Sequence, residues 1–201
     1  LAKKIKHKTG RPKASSGVLN RQSVIDVSWE IANEIGAKEV SIKLIAERLG
    51  IRSPSVYNHV TDLSDIVGEL SARAGNLLAE NLENVLEEGT RSGLKKKEKI
   101  RLLFREYRNF ARNHYGVYSL LIAAPVATES HRLAAERILS VCLNAFDSDR
   151  LDKKAIHEIR IMRSILHGFV TLEKEKGFGL PESVEETFEI LTEGFIAREW
   201  L

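Results

Sequence analysis

Residues 50–60 read Gly50-Ile51-Arg52-Ser53-Pro54-Ser55-Val56-Tyr57-Asn58-His59-Val60, and this stretch decides the fold. A glycine just past an apolar-periodic segment tolerates the left-handed backbone that ends a helix and lets the chain reverse within a few residues. Ser53 followed by Pro54 then predicts the start of a second short helix, because the amide that proline lacks has no partner in a first turn anyway. Upstream, Ser41–Leu49 (SIKLIAERL) places Ile42, Leu44, Ile45, Ala46 and Leu49 on one face and leaves Lys43 and Arg48 to solvent. Ser41 is suited to cap that helix, with Val40 and Ile45 packing across its start. Two helices joined by a tight turn are a helix-turn-helix. In that motif the first residues of the second helix face base edges in the major groove. Here these are Ser53, Ser55 and Val56, all short. Tyr57 and His59 carry donors suited to phosphate oxygens, and Asn58 has the amide that pairs with an adenine edge. Singly, Tyr57 reads equally well as a core aromatic and His59 as a surface histidine, but the ordered set favours DNA.

Asn20 to Val60 resembles the DNA-binding region of TetR-family transcriptional regulators. The matching pieces are Ser41-x-x-x-Ile45-Ala46, Leu49-Gly50-Ile51 and Pro54-Ser55-Val56-Tyr57-Asn58-His59, followed by a helix starting near Asp62. By position, the resemblance implies DNA-backbone contacts from Ser41, Lys43, Tyr57 and His59, with Ser53, Ser55 and Asn58 at or near the bases. The family pattern sets the helix cap at Arg52 rather than Ser53, which brings Arg52 to the same surface. Two positions depart from the pattern. Val60 stands where the family usually has phenylalanine. Leu63, beside Asp62 and Asp65, stands where a lysine commonly meets a phosphate, so one anchoring contact is in doubt.

With 201 residues, 43% of them apolar and 29% charged, the chain can bury one good core or two small ones. Cys142 is its only cysteine, so no intramolecular disulfide can form and a reducing compartment is expected. The longest apolar run, Tyr118–Ala127, is interrupted by Pro125 and too short to span a bilayer. No signal peptide and no membrane partner are expected. The net charge of +3 hides an asymmetry: residues 1–21 hold seven Lys or Arg and no acid, leaving 24 basic against 28 acidic residues, or −4, for the remainder. A like-charged arm of this kind is expected to be disordered when free and to track a polyanion. Within it, Thr9-Gly10-Arg11-Pro12-Lys13 partly resembles the core of an AT-hook. That makes Arg11 a candidate for a narrow minor groove, the alternative being a solvated basic arm.

The remainder reads as helix throughout. Asn20 caps a first helix that runs through Val24, Ile25, Trp29, Ile31, Ala32 and Ile35 to Gly36. Further helices are expected over Leu63–Glu88, from Lys95 through Ala111, near Val117–Ile122, and over Glu129–Phe146, Asp152–Lys176 and Pro181–Trp200, with a break at Gly89–Gly93. The expected fold is all-α with about nine helices: a basic arm (1–18), a three-helix DNA-binding domain (19–62) and a helical regulatory and dimerisation bundle (63–201). This layout matches the TetR family over essentially the whole chain. The run Leu166-His167-Gly168-Phe169-Val170, with Leu172-Glu173 beyond, resembles a subgroup with a Trp-His-Gly motif in the eighth helix, leucine replacing the tryptophan.

The last two helices carry more apolar surface than one bundle needs. Gly168 in a helix interior costs about 1 kcal/mol relative to alanine, which makes sense where another helix approaches; packing within the chain is the alternative. Leu166, Gly168, Phe169, Leu172, Phe188, Leu191 and Phe195 are therefore expected in a symmetric four-helix homodimer interface, the family's arrangement. The resemblance further places Phe104, Tyr107, Phe110, Ala111, Tyr118, Leu121, Cys142, Phe146, Met162 and Ile165 on helices around an effector cavity, although such stripes are often plain core. His114 and His131 join Tyr107 and Tyr118 as sources of polar specificity.

The implied function is a sequence-specific regulator in the bacterial cytoplasm, at the nucleoid. It would be a repressor released from a pseudo-palindromic double-stranded DNA operator by an unknown small, mainly apolar or aromatic molecule. The alternative is a DNA-binding dimer without small-molecule sensing, governed by a protein partner or organising the nucleoid. No cofactor or metal is expected, and an enzyme fits poorly: Cys142 has no evident activating partner, the six histidines lack metal-ligand spacing, and no Gly-rich phosphate loop is present.

Overall fold

The computed structural model describes residues 19–122 and 128–197. The basic arm, with Arg11, lies outside the described residues. Among those described, all regular structure is helical, in nine α-helices, as the apolar periodicity predicts.

The first three helices form a small head. Helix α1 (Arg21–Ile35) starts on a reciprocal cap in which the Asn20 side chain accepts from Ser23 N and Ser23 Oγ accepts from Asn20 N. It buries Val24, Ile25, Ile31 and Ala32. Ile35, expected on that face, is exposed, because the helix ends there and Gly36 turns the chain away at φ 105°. Helix α2 (Ile42–Leu49) is capped by Ser41, whose hydroxyl accepts from Leu44 N at 3.3 Å, and is stopped by Gly50 in the left-handed region at φ 69°. Helix α3 (Ser53–Val56) is a single turn capped by Arg52, one residue earlier than Ser53-Pro54 alone suggests. Val56 and Val60 are buried with Ile45 and Ala46, which anchors the turn to α2.

Helix α4 (Leu63–Arg91) is capped by Asp62 and runs 29 residues, about 43 Å at 1.5 Å per residue. It continues through Gly89, where a break is expected from sequence. That glycine is buried within α4, and a Cβ there would meet Leu102 Cδ1 at 2.9 Å, so it serves a close helix approach. Around α4 stand α5 (Lys96–Asn113), α6 (Tyr115–Tyr118) with a 3-10 turn over Ser119–Leu121, α7 (Glu129–Ala145), α8 (Lys153–Lys174) and α9 (Val184–Ile196). Helix α4 packs on α7 and α5, and α5 packs on α8 and α9. Phe104, Phe110, Tyr118, Phe146 and Phe195 are almost wholly buried, with Phe195 lying 4.8 Å from Phe104 and 6.1 Å from Phe146, ring to ring. Arg108 of α5 is also buried. It donates to Glu173 at 2.6 and 3.1 Å and to Glu185 at 2.9 Å, and lies over the rings of Phe188 and Phe169. No described helix is long and apolar enough to cross a membrane.

The head is fixed to the body through α6. A Cβ on Gly116 would stand 1.7 Å from the carbonyl oxygen of Ala32 in α1, so the two backbones touch and only glycine fits. His114 packs on Trp29 of α1 and on Phe110 of α5, and Asp26 of α1 pairs with Arg73 of α4 at 2.6 Å. Gly116→Ala forces α1 and α6 apart and should lower stability by about 2 kcal/mol or more. Urea denaturation checks this, and a loss below about 0.5 kcal/mol would mean that the contact is not a constraint.

Candidate nucleic-acid interface

Local capping and burial decide which side chains the helix-turn-helix can present. Because Val56 and Val60 point into the head, Lys43, Arg52, Tyr57 and Asn58 are left outward, with Tyr57 54% exposed. Ser41, Ser53, Ser55 and His59 are half-buried along the same stretch. Val56 is wholly buried, which corrects the expectation that it faces the bases: it is the hook that holds α3 in place. Ser41 spends an oxygen lone pair on Leu44 N, so what it can offer a phosphate is its proton.

An ion pair that sequence reasoning did not find sets this surface in place. Arg21 donates to both oxygens of Asp65 at 2.8 and 2.7 Å and to the carbonyl of His59 at 3.4 Å. Asp65 also accepts from Thr61 N at 2.9 Å, while Asp62 accepts from Asp65 N at 2.9 Å. The start of α1, the end of the recognition turn and the start of α4 are thus joined. The hydrogen bond from Arg21 holds the Asp65 carboxyl down at about 2, against the opposing effect of burial and with help from the Thr61 amide. The Asp62-x-x-Asp65 spacing is itself a legible capping signal, but its partner lies 44 residues away. The acids that cast doubt on a phosphate contact near Leu63 therefore have structural uses, and the Asp65 charge is met by Arg21.

Of the residues expected around an effector, Phe104, Tyr107, Phe110, Ala111, Tyr118, Cys142, Phe146 and Met162 are buried, and Leu121 and Ile165 partly so. Tyr107 and Tyr118 meet edge to face at 5.8 Å, with their hydroxyls 3.4 Å apart. Sequence reasoning missed two members of this group: His167 Nδ1 stands 3.5 Å from Tyr118 Oη and 3.4 Å from Thr171 Oγ1. The i, i+4 spacing of His167 and Thr171 was the available signal. His131 does not join them, since its Nδ1 is 3.1 Å from Ser71 Oγ. His114 sits at the joint between α1 and α5 rather than among the interior polar groups, because the ring of Trp29 provides its apolar neighbour. Burial pushes the Cys142 thiol up to about 12, which makes it a poor nucleophile. Two surface clefts, of about 280 and 530 Å³, open beside α4 and α7, one lined by Asp62, Asp65 and Ser130 and the other by Asn76, Leu133 and Arg137.

The expected dimer face needs correcting. Leu166, Phe169, Phe188 and Phe195 are buried within the protomer, where Phe169 packs on Phe178 and Phe188 and Phe195 packs on Phe104. They form the inner face of α8 and α9. Leu191 is half-buried, whereas Gly168 and Leu172 are outward, together with Leu180 (80% exposed), Ile190 (67%) and Gly194. A Cβ on Gly168 or Gly194 would meet nothing within 4 Å, so intrachain packing does not account for either glycine.

A one-turn recognition element on a capped helix-turn-helix head, carried by a bundle built around one long helix, defines a DNA-binding regulator of the helix-turn-helix class. Residues 100–195 match the family model described as "Tetracyclin repressor-like, C-terminal domain". The chain is 28% identical over 187 residues to an uncharacterized HTH-type transcriptional regulator, YobS, of Bacillus subtilis (strain 168), covering 89% of this chain and 92% of that protein. A TetR-family transcriptional regulator from Streptomyces coelicolor has the same fold, with TM-score 0.64 and 18% identity over 89% of this chain and 98% of that one. So does ActR, a TetR family protein of the same organism solved in complex with actinorhodin, with TM-score 0.64 and 13% identity over 90% and 96%. Residues 100–195 thus resemble the C-terminal domain of tetracycline-repressor-like regulators, and the chain is similar over nearly its whole length to a transcriptional regulator of the helix-turn-helix type.

Asp65→Asn breaks the bidentate pair and should cost about 1 kcal/mol at neutral pH, as such a part-exposed pair allows. Because the folded carboxyl titrates below its unfolded value of 3.8, this advantage is complete above pH about 4 and fades as the pH falls toward 2. Denaturation of both proteins across that range checks it; a difference that persists unchanged at pH 2 would assign the effect to something other than the charge.

Proposed function

We propose that this chain is a homodimeric repressor that binds a pseudo-palindromic DNA operator and leaves it when a small, mainly apolar or aromatic effector binds. The observation that carries the reading is the outward set Lys43, Arg52, Tyr57 and Asn58, held on a turn whose own apolar residues are buried. Lys43, Tyr57, His59 and Ser41 supply phosphate contacts that set register, while Asn58, Ser53 and Ser55 face the bases. Residues 19–62 act as the reading head and 63–201 as the regulatory part. Arg11 in the basic arm adds charge that follows the DNA backbone or enters a minor groove beside the half-site. An operator-binding protein of this kind works at the nucleoid, in the cytoplasm.

Two heads must stand about 34 Å apart to read successive major grooves. The outward positions Gly168 and Leu172 on α8 and Ile190 and Gly194 on α9, together with the half-buried Ile165 and Leu191, support a twofold interface in which the glycines admit the partner's helices. An effector acts only through a difference in affinity between the head spacings. Entering beneath α4, it presses on the Tyr118 end of α6, whose Gly116 end bears on α1. The dense burial of Phe104, Phe110 and Tyr118 favours a second reading, a DNA-binding dimer with no small-molecule effector.

Fluorescence anisotropy on DNA from upstream of the chain's own gene, with and without a small-molecule extract of the host, separates these. Specific binding released by the extract supports the repressor; specific binding left intact supports the second reading; equal binding to random DNA refutes operator recognition and leaves only a nucleoid-organising dimer. Lys43→Ala should weaken binding on every sequence and flatten the salt dependence by about two charges per dimer. Tyr57→Phe should weaken it about tenfold with the salt slope unchanged, and Asn58→Ala should change sequence preference. Leu172→Glu with Ile190→Glu should convert dimer to monomer by light scattering, and a dimer that persists would place the interface elsewhere.

A further inference from the structure

Two buried tyrosines and two half-buried polar side chains meet one another only at long distance. Tyr107 and Tyr118 are buried, and their hydroxyls approach each other only to 3.4 Å; Tyr118 Oη reaches His167 Nδ1 at 3.5 Å, and Thr171 reaches the same nitrogen at 3.4 Å. Hydrogen bonds from hydroxyls prefer 2.7–2.8 Å to oxygen, and a buried donor left wanting carries a penalty of about 1–3 kcal/mol. Three long contacts therefore converge on one region from α5, α6 and α8.

The charge around the group has one sign. Arg163 is the charged side chain whose field acts on Tyr107, Tyr118 and His167 alike. It is outward-lying on α8 and donates to the Leu121 carbonyl at 2.9 Å. Burial pushes both phenols well above their usual range, and burial with the Arg163 charge pushes the His167 ring below its own. The tyrosines are thus uncharged donors, and the imidazole is disposed to remain neutral. No carboxylate contributes to these shifts, so a cationic ligand would meet a like charge without a counter-charge. The surroundings are aromatic, with Tyr115 at 6.2 Å from Tyr118, ring to ring.

We propose that Tyr107, Tyr118, His167 and Thr171 form the polar recognition end for an aromatic effector bearing oxygen, either a neutral hydroxyl compound or an anionic carboxylate, and that this end rejects cations. The proposal rests on the ligand-responsive reading above and names the effector's class. Tyr118 is also two residues from Gly116, so the recognising hydroxyl and the contact with α1 lie on the same four-residue helix.

The test uses four matched probes, naphthalene, 2-naphthol, 2-naphthoate and 2-naphthylmethylammonium, titrated calorimetrically into the full-length protein without DNA. The naphthol and naphthoate should bind about tenfold more tightly than naphthalene and the ammonium probe, as one buried hydrogen bond allows. Tyr118→Phe keeps the ring and removes the hydroxyl, and should erase the preference for naphthol over naphthalene without loss of naphthalene binding. Equal affinity for all four probes, an undiminished naphthol preference in Tyr118→Phe, or no binding of any probe at millimolar concentration would each overturn the site. Operator release by the same probes is read separately. Tyr118-dependent binding without release upholds this site and contradicts ligand-gated repression, whereas release independent of Tyr118 upholds gating and overturns the site.

Discussion

The backbone contact between Gly116 and Ala32 is the constraint on which the rest of the arrangement depends. A carbonyl oxygen lying where a side chain would begin leaves α1 and α6 no room to slide, so the position of α6 fixes that of the reading head. Packed interfaces of this kind move between discrete arrangements rather than deforming smoothly. The neighbours reinforce it from both sides: His114 fills the angle between Trp29 and Phe110, and Arg73 lies over Trp29 while pairing with Asp26. A residue pair at one helix end thereby links the helix-turn-helix head to the bundle.

Charged groups do the remaining positioning, in two different dielectric settings. Arg21 and Asp65 are partly solvated, so their pairing contributes modestly to stability and chiefly fixes the angle between α1, the recognition turn and α4. Arg108 is buried, with Glu173 mostly so, and two phenylalanine rings cover the guanidinium. Removing one partner there would strand a charge in a poorly solvated site, a far larger loss than breaking a surface pair. The pairing ties α5 to α8 and to the start of α9, so the outer face of the last two helices keeps its shape with respect to the core.

The sequence made the head almost fully readable because its signals are local. Ser41, Gly50 and Asn20 act within one turn of their own positions, and capping and left-handed stops leave a direct mark on the residue chosen. The cap at Arg52 and the burial of Val56 were less legible, since a single helical turn has too few residues to show which side is inward. In the body, apolar periodicity located α8 and α9 but could not divide their wide apolar surface between core and exterior. Phe169, Phe188 and Phe195 fell inside while Leu172 and Ile190 fell outside, because Arg108 and Phe104, far away in sequence, determine what the inner face meets. The Tyr107, Tyr118 and His167 group was half legible for the same reason: each residue type was visible, but their convergence from three helices was not.

Head and body form one mechanical unit through α1 and α6, and Trp29 offers a direct probe of that joint. In a variant whose only tryptophan is Trp29, urea unfolding followed by tryptophan fluorescence reports on α1, while far-ultraviolet circular dichroism reports on the whole helical chain. A rigid joint predicts coincident transitions with the same midpoint and slope. A fluorescence transition that occurs at clearly lower urea, while most helix remains, would show that the head melts by itself and contradict the claim.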